Sequence, residues 1–249
     1  METNNFLKEA RNFIMTYDIH THTVYSHGKG TIEDNVKAAM QKGLSQIAVT
    51  DHGPGHLTYG LKRENLPKMR SEIEELRKKY PIEILLGVEG NIVDNENGLD
   101  VSKEEFSSYD FVIAGYHYGV RNGHCISNWL EHHIGLINGD KLRNLNTEMT
   151  LRALYQNDLK ILTHPGDKGQ FDIPQIAKAC EETDTLMEIS TWHKHLNLEE
   201  LKLLRNTNNK FIISSDAHTP ARVGDFEMGL ARALEAGIEP ERIVNITHR

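Results

Sequence analysis

Histidine stands out in this sequence, and some of its histidines are spaced so that they could bind a metal ion together. The chain has 14 histidines among 249 residues. His20 and His22 come directly after a short apolar segment, Tyr17–Ile19, that we predict to be the end of a β-strand. Side chains two residues apart on an extended segment point the same way, and a neutral imidazole offers one nitrogen to a cation. Taken alone, the pair is equally compatible with two histidines that hydrogen-bond in a loop.

The later apolar segments also end in residues that could bind a metal ion. Each of seven predicted strands ends in a histidine or a carboxylate, at His22, His52, Glu89, His117, His164, Glu188 and Asp216. Helical patterns separate the strands, as in βα units of about 30 residues. Such alternation predicts a parallel sheet covered by helices. A doubly wound open sheet would spread the strand ends along a line, whereas a closed barrel gathers them on one rim. We therefore predict an α/β fold, a seven-stranded β/α barrel.

Several element boundaries can also be predicted. An amphipathic helix is expected over Phe6–Ile14, and a capping box of Thr31 and Asp34 should begin a helix that Gly43 ends. Further helices are expected over Ser127–Ile137, Asp140–Tyr155 and Gly224–Ala236, with a final short strand over Val244–Ile246. No linker interrupts the pattern, so we divide the chain into an N-terminal extension, 1–16, and one barrel domain, 17–249.

The composition limits the classes of partner that we expect for this protein. The formal net charge of −8 disfavours a protein held mainly to polynucleotide phosphates. No apolar run approaches the roughly 20 residues of a membrane span, and no secretion signal is evident. The two cysteines, Cys125 and Cys180, form no paired motif, which fits a reducing, cytoplasmic location. The oligomeric state, and whether 118–139 covers a pocket or forms an interface, stay open.

The predicted strand ends supply too many metal donors for one ion. A single zinc ion takes three or four protein ligands, so a set of nine suits two or three ions: His20, His22, His27, His52, Glu89, His117, His164, Asp216 and His218. Imidazole-rich sites favour zinc, manganese or iron over calcium and magnesium.

Other polar residues near the same rim have less certain roles. Asp18 and Asp51 could each hydrogen-bond to a metal-binding imidazole and so orient it, or they could be ordinary polar residues at strand ends. Glu188 could do the same or line a substrate pocket. Substrate contacts or ordinary surface positions are expected for His56, His193 and His195, and no role for His124, His132, His133 and His248.

Taken together, the motifs resemble those of the PHP superfamily, named for polymerase and histidinol phosphatase domains. The resemblance runs from about Tyr17 to the C-terminus and rests on Asp18-Ile19-His20-Thr21-His22, Ser26-His27-Gly28, Thr50-Asp51-His52-Gly53, Gly87-Val88-Glu89, Gly115-Tyr116-His117, Thr163-His164-Pro165-Gly166 and Ser215-Asp216-Ala217-His218-Thr219. It implies a distorted, TIM-barrel-like (β/α)7 barrel with a trinuclear site at its C-terminal face. The resemblance is strongest to the stand-alone bacterial phosphatase-like branch of the superfamily.

The resemblance also implies how the donors divide among three divalent ions, with zinc favoured and manganese or iron as alternatives. One ion would be held by His20, His22, Glu89 and Asp216; a second by Glu89, His117 and His164; and the third by His27, His52 and His218.

The function implied is that of a metal-dependent phosphoesterase acting on a small phosphomonoester, of which histidinol phosphate is one candidate. Ions lower the pKa of a shared water, and the hydroxide would attack phosphorus in line while the metals neutralise the developing charge. Arg222 is predicted to grip the phosphate, with Lys29 as a weaker candidate, and His27 or a metal-bound water to protonate the leaving oxygen. The alternatives are a nuclease-like phosphodiesterase, a metal-dependent amidohydrolase and a non-catalytic metal-binding module.

Overall fold

The computed structural model describes residues 3–135 and 138–249. Within these residues the strands are β1 Phe13–Met15, β2 Tyr17–Asp18, β3 Gln46–Val49, β4 Glu83–Asn91, β5 Phe111–Gly115, β6 Ile161–Leu162, β7 Leu186–Ser190, β8 Phe211–Ser214 and β9 Ile246–His248. The α-helices are α1 Thr3–Ala10, α2 Ile32–Gln41, α3 Leu66–Lys79, α4 Cys125–Ile134, α5 Gly139–Gln156, α6 Ile173–Glu182, α7 Leu198–Leu204 and α8 Glu227–Glu235.

Strands β2 to β8 form one seven-stranded sheet in the order of the sequence, and every neighbouring pair is parallel. Five of the six connections contain α-helices, and the one between β4 and β5 contains a 3₁₀ helix, Lys103–Ser108. The predicted β/α barrel is therefore confirmed. The seam between β2 and β8 is joined differently from the other strand pairs. A single parallel bridge pairs Thr21 with Ala217 just beyond the two strands, and side chains complete the closure.

Two buried side chains cross this seam. The Asp18 carboxylate on β2 accepts hydrogen bonds from the Ser215 hydroxyl at 2.5 Å and from the Gly224 amide at 2.9 Å. Lower down, the Asn245 amide group donates to the carbonyls of Tyr17 at 2.9 Å and Ile213 at 2.7 Å. The first and last strands are therefore held together largely by two polar side chains.

The inside of the barrel is layered. A small apolar cluster fills its lower part, with buried residues from six strand segments: Ile19, Ala48, Ile113, Ile161, Leu186 and Ile212. Because side chains alternate along a strand, the residues two positions further on face inward as well, and these are polar or small: Thr21, Thr50, Gly115, Thr163, Glu188 and Ser214. The apolar layer therefore forms a floor, and polar groups collect above it at the carboxyl ends of the strands.

The capping box predicted for the second helix is present. The Thr31 hydroxyl accepts from the Asp34 amide at 3.1 Å, while the Asp34 carboxylate accepts from the Thr31 amide at 3.0 Å. α2 ends at Gln41, and Gly43 follows with a positive φ of 76°. The buried face of α2, with Ile32, Val36 and Ala39, packs into the main core.

Replacing Thr31 by alanine should lower the free energy of unfolding by about 1 kcal/mol, because the Asp34 amide loses its acceptor. Urea denaturation of the wild type and the variant measures this. Thr31→Ser keeps the hydroxyl oxygen and is the matched control. A serine variant as unstable as the alanine variant would show that the threonine methyl group, and not the cap, supplies the stability.

Both ends of the chain differ from the predicted boundaries. The predicted helix over Phe6–Ile14 was too long, since α1 ends at Ala10 and the next residues form β1. β1 pairs antiparallel with β9, and the burial of Phe13 and Met15 with exposure of Ile14 follows the two-residue period of a strand. The final strand was predicted over Val244–Ile246, but β9 begins only at Ile246. This pairing, distant in sequence, sets both boundaries.

Two further helices, α4 and α8, begin elsewhere than predicted, and α4 begins at Cys125 and not at Ser127. The last helix begins at Glu227 and not at Gly224, because a short 3₁₀ turn, Pro220–Arg222, precedes it and Gly224 has a positive φ. α4 covers Cys125–Ile134, and the predicted end of that helix at Ile137 lies outside the described residues. The division into 1–16 and 17–249 stays a prediction, although α1 packs on α8 and β1 on β9. None of the helices described is long and apolar enough to span a bilayer.

Candidate metal centre

His20 and His22 lie together on the polar rim above the apolar floor, as their spacing predicted. Both side chains are fully buried, and their Nε2 atoms lie 3.2 Å apart. Burial opposes protonation of His20, yet the nearby carboxylates of Glu188 and Glu89 raise its pKa well above the ordinary value. Burial and the neighbouring His52 instead lower the pKa of His22 well below its ordinary value. The two rings thus occupy electrostatically different surroundings.

Glu89 is the centre of the cluster. It lies within β4, which continues to Asn91, and its fully buried carboxylate is surrounded by imidazoles. The carboxylate–nitrogen distances are 2.9 Å for His52, 3.0 Å for His164, and 3.4 Å for both His20 and His117. Burial alone would raise the pKa of Glu89, but His117 and His20 hold it well below the ordinary value. One ionised carboxylate therefore faces donors from several strands.

Asp216 extends the cluster toward the loop after β8. Its Oδ1 atom lies 3.1 Å from His22 Nε2, and its Oδ2 atom lies 3.1 Å from His193 Nε2. Asp216 has a positive φ of 47° and His164 one of 27°. Such backbone is uncommon for residues other than glycine and concentrates at functional sites, where surrounding contacts hold it in place.

His27 reaches the rim through a close turn at Gly28. A Cβ atom at Gly28 would lie 2.5 Å from the carbonyl of His22, so no larger residue fits there without movement. The His27 ring then packs 4.3 Å from that of His218 and 5.2 Å from that of His52, as ring centroids. Burial and these neighbouring rings lower the pKa of His27 to about 4. The imidazole is therefore neutral, the form that binds a cation.

Four groups of donor atoms, each within 4.8 Å of one another, have the composition of a metal site. Three of them share members and the fourth is separate, and between them they include eight of the nine predicted ligands; His27 is outside all four and His193 is an additional member. The groups are His22, His52 and His218; His20, His22 and Glu89; His52, Glu89 and His117; and His164, His193 and Asp216.

Several of these buried atoms lack a hydrogen-bond partner among the described residues. They are His22 Nδ1, His52 Nδ1, His164 Nδ1, Glu89 Oε2 and Asp216 Oδ1. Buried polar atoms are nearly always paired, so each unpaired atom indicates a missing partner such as an ion or water. His52 Nδ1 and Glu89 Oε2 lie only 2.9 Å apart but are not aligned as a hydrogen bond. Donors that converge without bonding to each other fit divalent cations.

Two residues orient these histidines, and the sequence suggested only one of them, Glu188. Glu188 Oε1 lies 2.6 Å from His20 Nδ1, while its other oxygen accepts from the His164 amide at 2.7 Å. His117 Nδ1 lies 2.8 Å from Asn91 Oδ1, a contact that sequence reasoning missed because Asn91 is merely the last residue of a strand. Glu188 is thus one of the orienting groups.

Of the two roles left open for Asp18 and Asp51, orienting an imidazole is not the one that the structure shows. Asp18 accepts from the Ser215 hydroxyl and the Gly224 amide at the barrel seam, and Asp51 accepts from the hydroxyls of Thr23 and Ser26. Asp51 therefore holds the loop that carries His22 and His27, whereas Asp18 holds the loop after β8 that carries Asp216 and His218.

A cavity of about 540 Å³ opens over this cluster, a size that suits a small molecule. Its wall includes seven histidines, with Asp216, two lysines, three aromatic residues and a threonine: His27, His52, His56, His117, His164, His193, His218, Asp216, Lys29, Lys168, Tyr59, Tyr118, Trp192 and Thr219. Of the three histidines expected near the rim, His56 and His193 line the cavity. His195 instead lies near the Glu200 carboxylate, at 3.2 Å.

Arg222 is absent from the lining of this cavity. Its guanidinium stacks on the Trp192 ring, with Cζ 4.3 Å from the ring centroid, and the side chain borders a neighbouring pocket. Lys29 does line the cavity, and so does Lys168, which sequence reasoning missed. The Thr163–Gly166 motif, which ends two residues before Lys168, was the available signal.

The histidines expected to have no role lie elsewhere. His124 faces Asp94 at 3.4 Å, His132 and His133 lie on the surface of α4 beside Trp129, and His248 packs against Phe13.

Fold and site together define a β/α-barrel protein with a potential multinuclear metal centre on the carboxyl rim of its strands. The family model of the PHP domain matches residues 18–207. Since this is more than half of the chain, the protein belongs to the PHP family. The resemblance inferred from the motifs is therefore confirmed.

Similar proteins and solved structures are consistent with this assignment to the PHP family. A protein named probable phosphatase YcdX, from Escherichia coli, is 28% identical over 247 residues, covering 93% of this chain and 90% of that protein. Two solved structures share the fold at 16% identity. One is a histidinol phosphate phosphatase from Lactococcus lactis complexed with zinc, L-histidinol and phosphate, with a TM-score of 0.59, covering 91% of this chain and 95% of that one. The other is a putative histidinol phosphatase from Listeria monocytogenes, with a TM-score of 0.60 and coverage of 84% and 97%.

Proposed function

We propose that this PHP-family protein is a metal-dependent phosphatase that hydrolyses a small phosphomonoester at a trinuclear site on the barrel rim. The observation that carries the proposal is the buried Glu89 carboxylate among imidazoles from four other segments, with unpaired donor atoms around it. An apolar core would not gather such groups, because each buried polar atom without a partner costs about 1–3 kcal/mol.

The proposed ligand sets are those that the family resemblance implies. Glu89, His20, His22 and Asp216 would hold a first ion, and Glu89 with His117 and His164 a second. His27, His52 and His218 would hold the third. Two of the donor groups support this assignment, since His20, His22 and Glu89 form one of them and His52 lies with His218 in another. In the other two, His117 lies with His52 and Glu89, and His164 lies with His193 and Asp216. His193 contacts Asp216 and lies at the edge of the first site.

Zinc is the proposed metal, with manganese and iron as alternatives. Imidazole nitrogens make up most of the donor set, and these suit zinc, manganese and iron better than calcium or magnesium. The Lactococcus lactis structure of the same fold is a complex with zinc, L-histidinol and phosphate, which supports this choice.

Bound ions would supply an activated water and neutralise charge on the phosphoryl group. Side chains of the protein would attract the phosphate and orient the metal-binding histidines. Lys29 and Lys168 line the cavity, and Lys168 also pairs with Asp167 at 2.8 Å. Their positive charge would attract a phosphate dianion to a protein of net charge −8. Glu188 fixes the orientation of His20, and Asn91 that of His117. A cavity of about 540 Å³ admits a small ester rather than a polynucleotide.

Replacing His20 and His22 together by alanine should remove metal and activity together. The two rings are fully buried in the cluster, so their loss leaves the first ion with the carboxylates alone. We expect turnover of p-nitrophenyl phosphate to fall on the order of 10³-fold, the effect of losing a group that stabilises transition-state charge. Metal content by mass spectrometry and turnover are measured on the same preparation.

The matched control replaces His132 and His133, an exposed pair on the surface of α4, by alanine. It changes the same number of imidazoles outside the cavity and should leave metal content and turnover as in the wild type. Turnover retained after loss of His20 and His22 would remove the proposed role. A panel of a monoester, a diester and an amide, assayed on metal-loaded protein, separates phosphatase from phosphodiesterase and amidohydrolase activity.

A further inference from the structure

Two large aromatic side chains border the cavity and are exposed to solvent. Tyr59 is 44% exposed and Trp192 is 51% exposed, and both belong to the cavity wall. Folding gains little from side chains left half in water, and large exposed rings beside a pocket are typical of a binding surface. The metal chemistry proposed above does not use either ring.

Both rings join the histidine cluster at its outer side. The Tyr59 ring stacks on His27 at a centroid distance of 4.2 Å and an interplanar angle of 18°. The His27 ring packs on His218 at 4.3 Å, and His218 lies 6.2 Å from Trp192. A continuous series of rings therefore runs from Tyr59 across two proposed metal ligands to Trp192.

Trp192 is held in position from two sides. Its backbone amide donates to the buried Ser190 hydroxyl at 3.1 Å, and the same oxygen accepts from the His193 amide. The Arg222 guanidinium stacks on the indole ring. Cation–π contacts of this kind contribute about 0.5–1 kcal/mol at exposed sites. An exposed ring that is fixed in this way presents a preformed surface to a ligand.

The distribution of charge in the cavity indicates where the two ends of a bound ester would lie. The faces of aromatic rings carry negative potential and do not attract a phosphate dianion. The phosphoryl group must therefore lie at the donor cluster and near Lys29 and Lys168, and the leaving alcohol must extend along the ring series. Planar apolar groups are what such rings bind best.

We propose that Tyr59 and Trp192 form a leaving-group subsite that selects phosphomonoesters whose alcohol carries a planar ring. This inference rests on the proposed phosphatase function and specifies its substrate class. Within it, Arg222 is a positioning residue that acts through Trp192, not a group that holds phosphate.

The test compares three primary alkyl esters whose leaving alcohols have similar acidity: phenethyl, cyclohexylethyl and n-butyl phosphate. The first two have rings of similar size, but only the phenyl ring is planar. For the metal-loaded wild type, kcat/KM should be about tenfold higher for phenethyl than for cyclohexylethyl phosphate, as expected for a stacked aromatic pair. Equal values for the two would overturn the subsite and leave the phosphatase proposal standing.

Trp192→Ala should bring that ratio close to one, mainly by raising KM for phenethyl phosphate. Trp192→Phe keeps a planar ring and should retain most of the preference. An alanine variant that lowers kcat/KM equally for all three esters would contradict a role in leaving-group selection. If metal-loaded wild type hydrolyses none of the esters, it is the proposed phosphatase function that fails.

Arg222→Gln distinguishes the two roles considered for this residue. A positioning role predicts a reduced phenethyl preference in the wild-type background and no further reduction in Trp192→Ala, since the two changes act on one contact. A direct grip on phosphate predicts weaker inhibition by inorganic phosphate and an equal rise in KM for all esters, with or without Trp192. The second result would overturn the assignment of Arg222.

Discussion

Glu89→Gln should lower turnover on the order of 10³-fold and leave the protein short of metal, because one carboxylate serves several donors. Glutamine has the same shape, but it replaces one oxygen by an amide group and removes the negative charge. In the proposed centre this takes a bridging ligand from two ions. Around the unsubstituted residue, imidazole nitrogens of His20, His52, His117 and His164 lie within 3.4 Å of that carboxylate.

Glu83→Gln is the matched control for this substitution. Glu83 begins the same strand, β4, but lies exposed at its opposite end, where it accepts a hydrogen bond from Gln46. Metal content and kcat are determined for both variants and the wild type. Glu83→Gln should match the wild type in both. A Glu89→Gln enzyme with full metal content and normal kcat would refute the bridging role.

Asp18→Asn should lower the free energy of unfolding by about 3 kcal/mol, the cost of disrupting several buried hydrogen bonds to one carboxyl group. The Asp18 carboxylate accepts from the Ser215 hydroxyl and from the amides of Ser215 and Gly224. Asparagine offers only one acceptor oxygen, so at least one buried donor loses its partner. The effect is large because the seam between β2 and β8 has few backbone bonds to share the loss.

Urea denaturation of the metal-loaded protein, repeated with excess chelator, measures this change apart from any change in metal affinity. Asp184→Asn makes the same chemical substitution where the side chain is 84% exposed and pairs with Lys210 at the surface. We expect it to stay within about 0.5 kcal/mol of the wild type. Equal stabilities for Asp18→Asn and Asp184→Asn would show that the carboxylate does not hold the seam.

The barrel and its donor cluster were predictable because each strand carries its own signal. A buried strand such as Gln46–Val49 is apolar, and the polar residues after it, Asp51 and His52, break the pattern at the rim. When this recurs with every βα unit, the geometry of a parallel barrel brings the ends together without further information. The family motifs added the division of donors among ions, which the spacing alone left open.

Contacts between loops were not predictable in the same way. Arg222 follows the Ser215–Thr219 motif closely, but the turn at Pro220–Arg222 directs its side chain to Trp192 and away from the cavity. Asp18 and Glu188 are both acidic residues near strand ends, yet only Glu188 reaches an imidazole. These side-chain contacts depend on the orientation of the side chain and on the hydrogen-bond partners in the neighbouring loop. The local sequence determines neither of them. The β1–β9 pairing was missed for a similar reason.

The two oxygens of Glu188 have a consequence for how the centre fills with metal. One oxygen holds the ring of His20 and the other the backbone of His164, residues that we assign to different ions. In the proposed centre, a cation bound at His20 would therefore also restrict the segment that presents His164. Filling one position would lower the ordering cost of the next, so we expect the ions to bind cooperatively rather than independently.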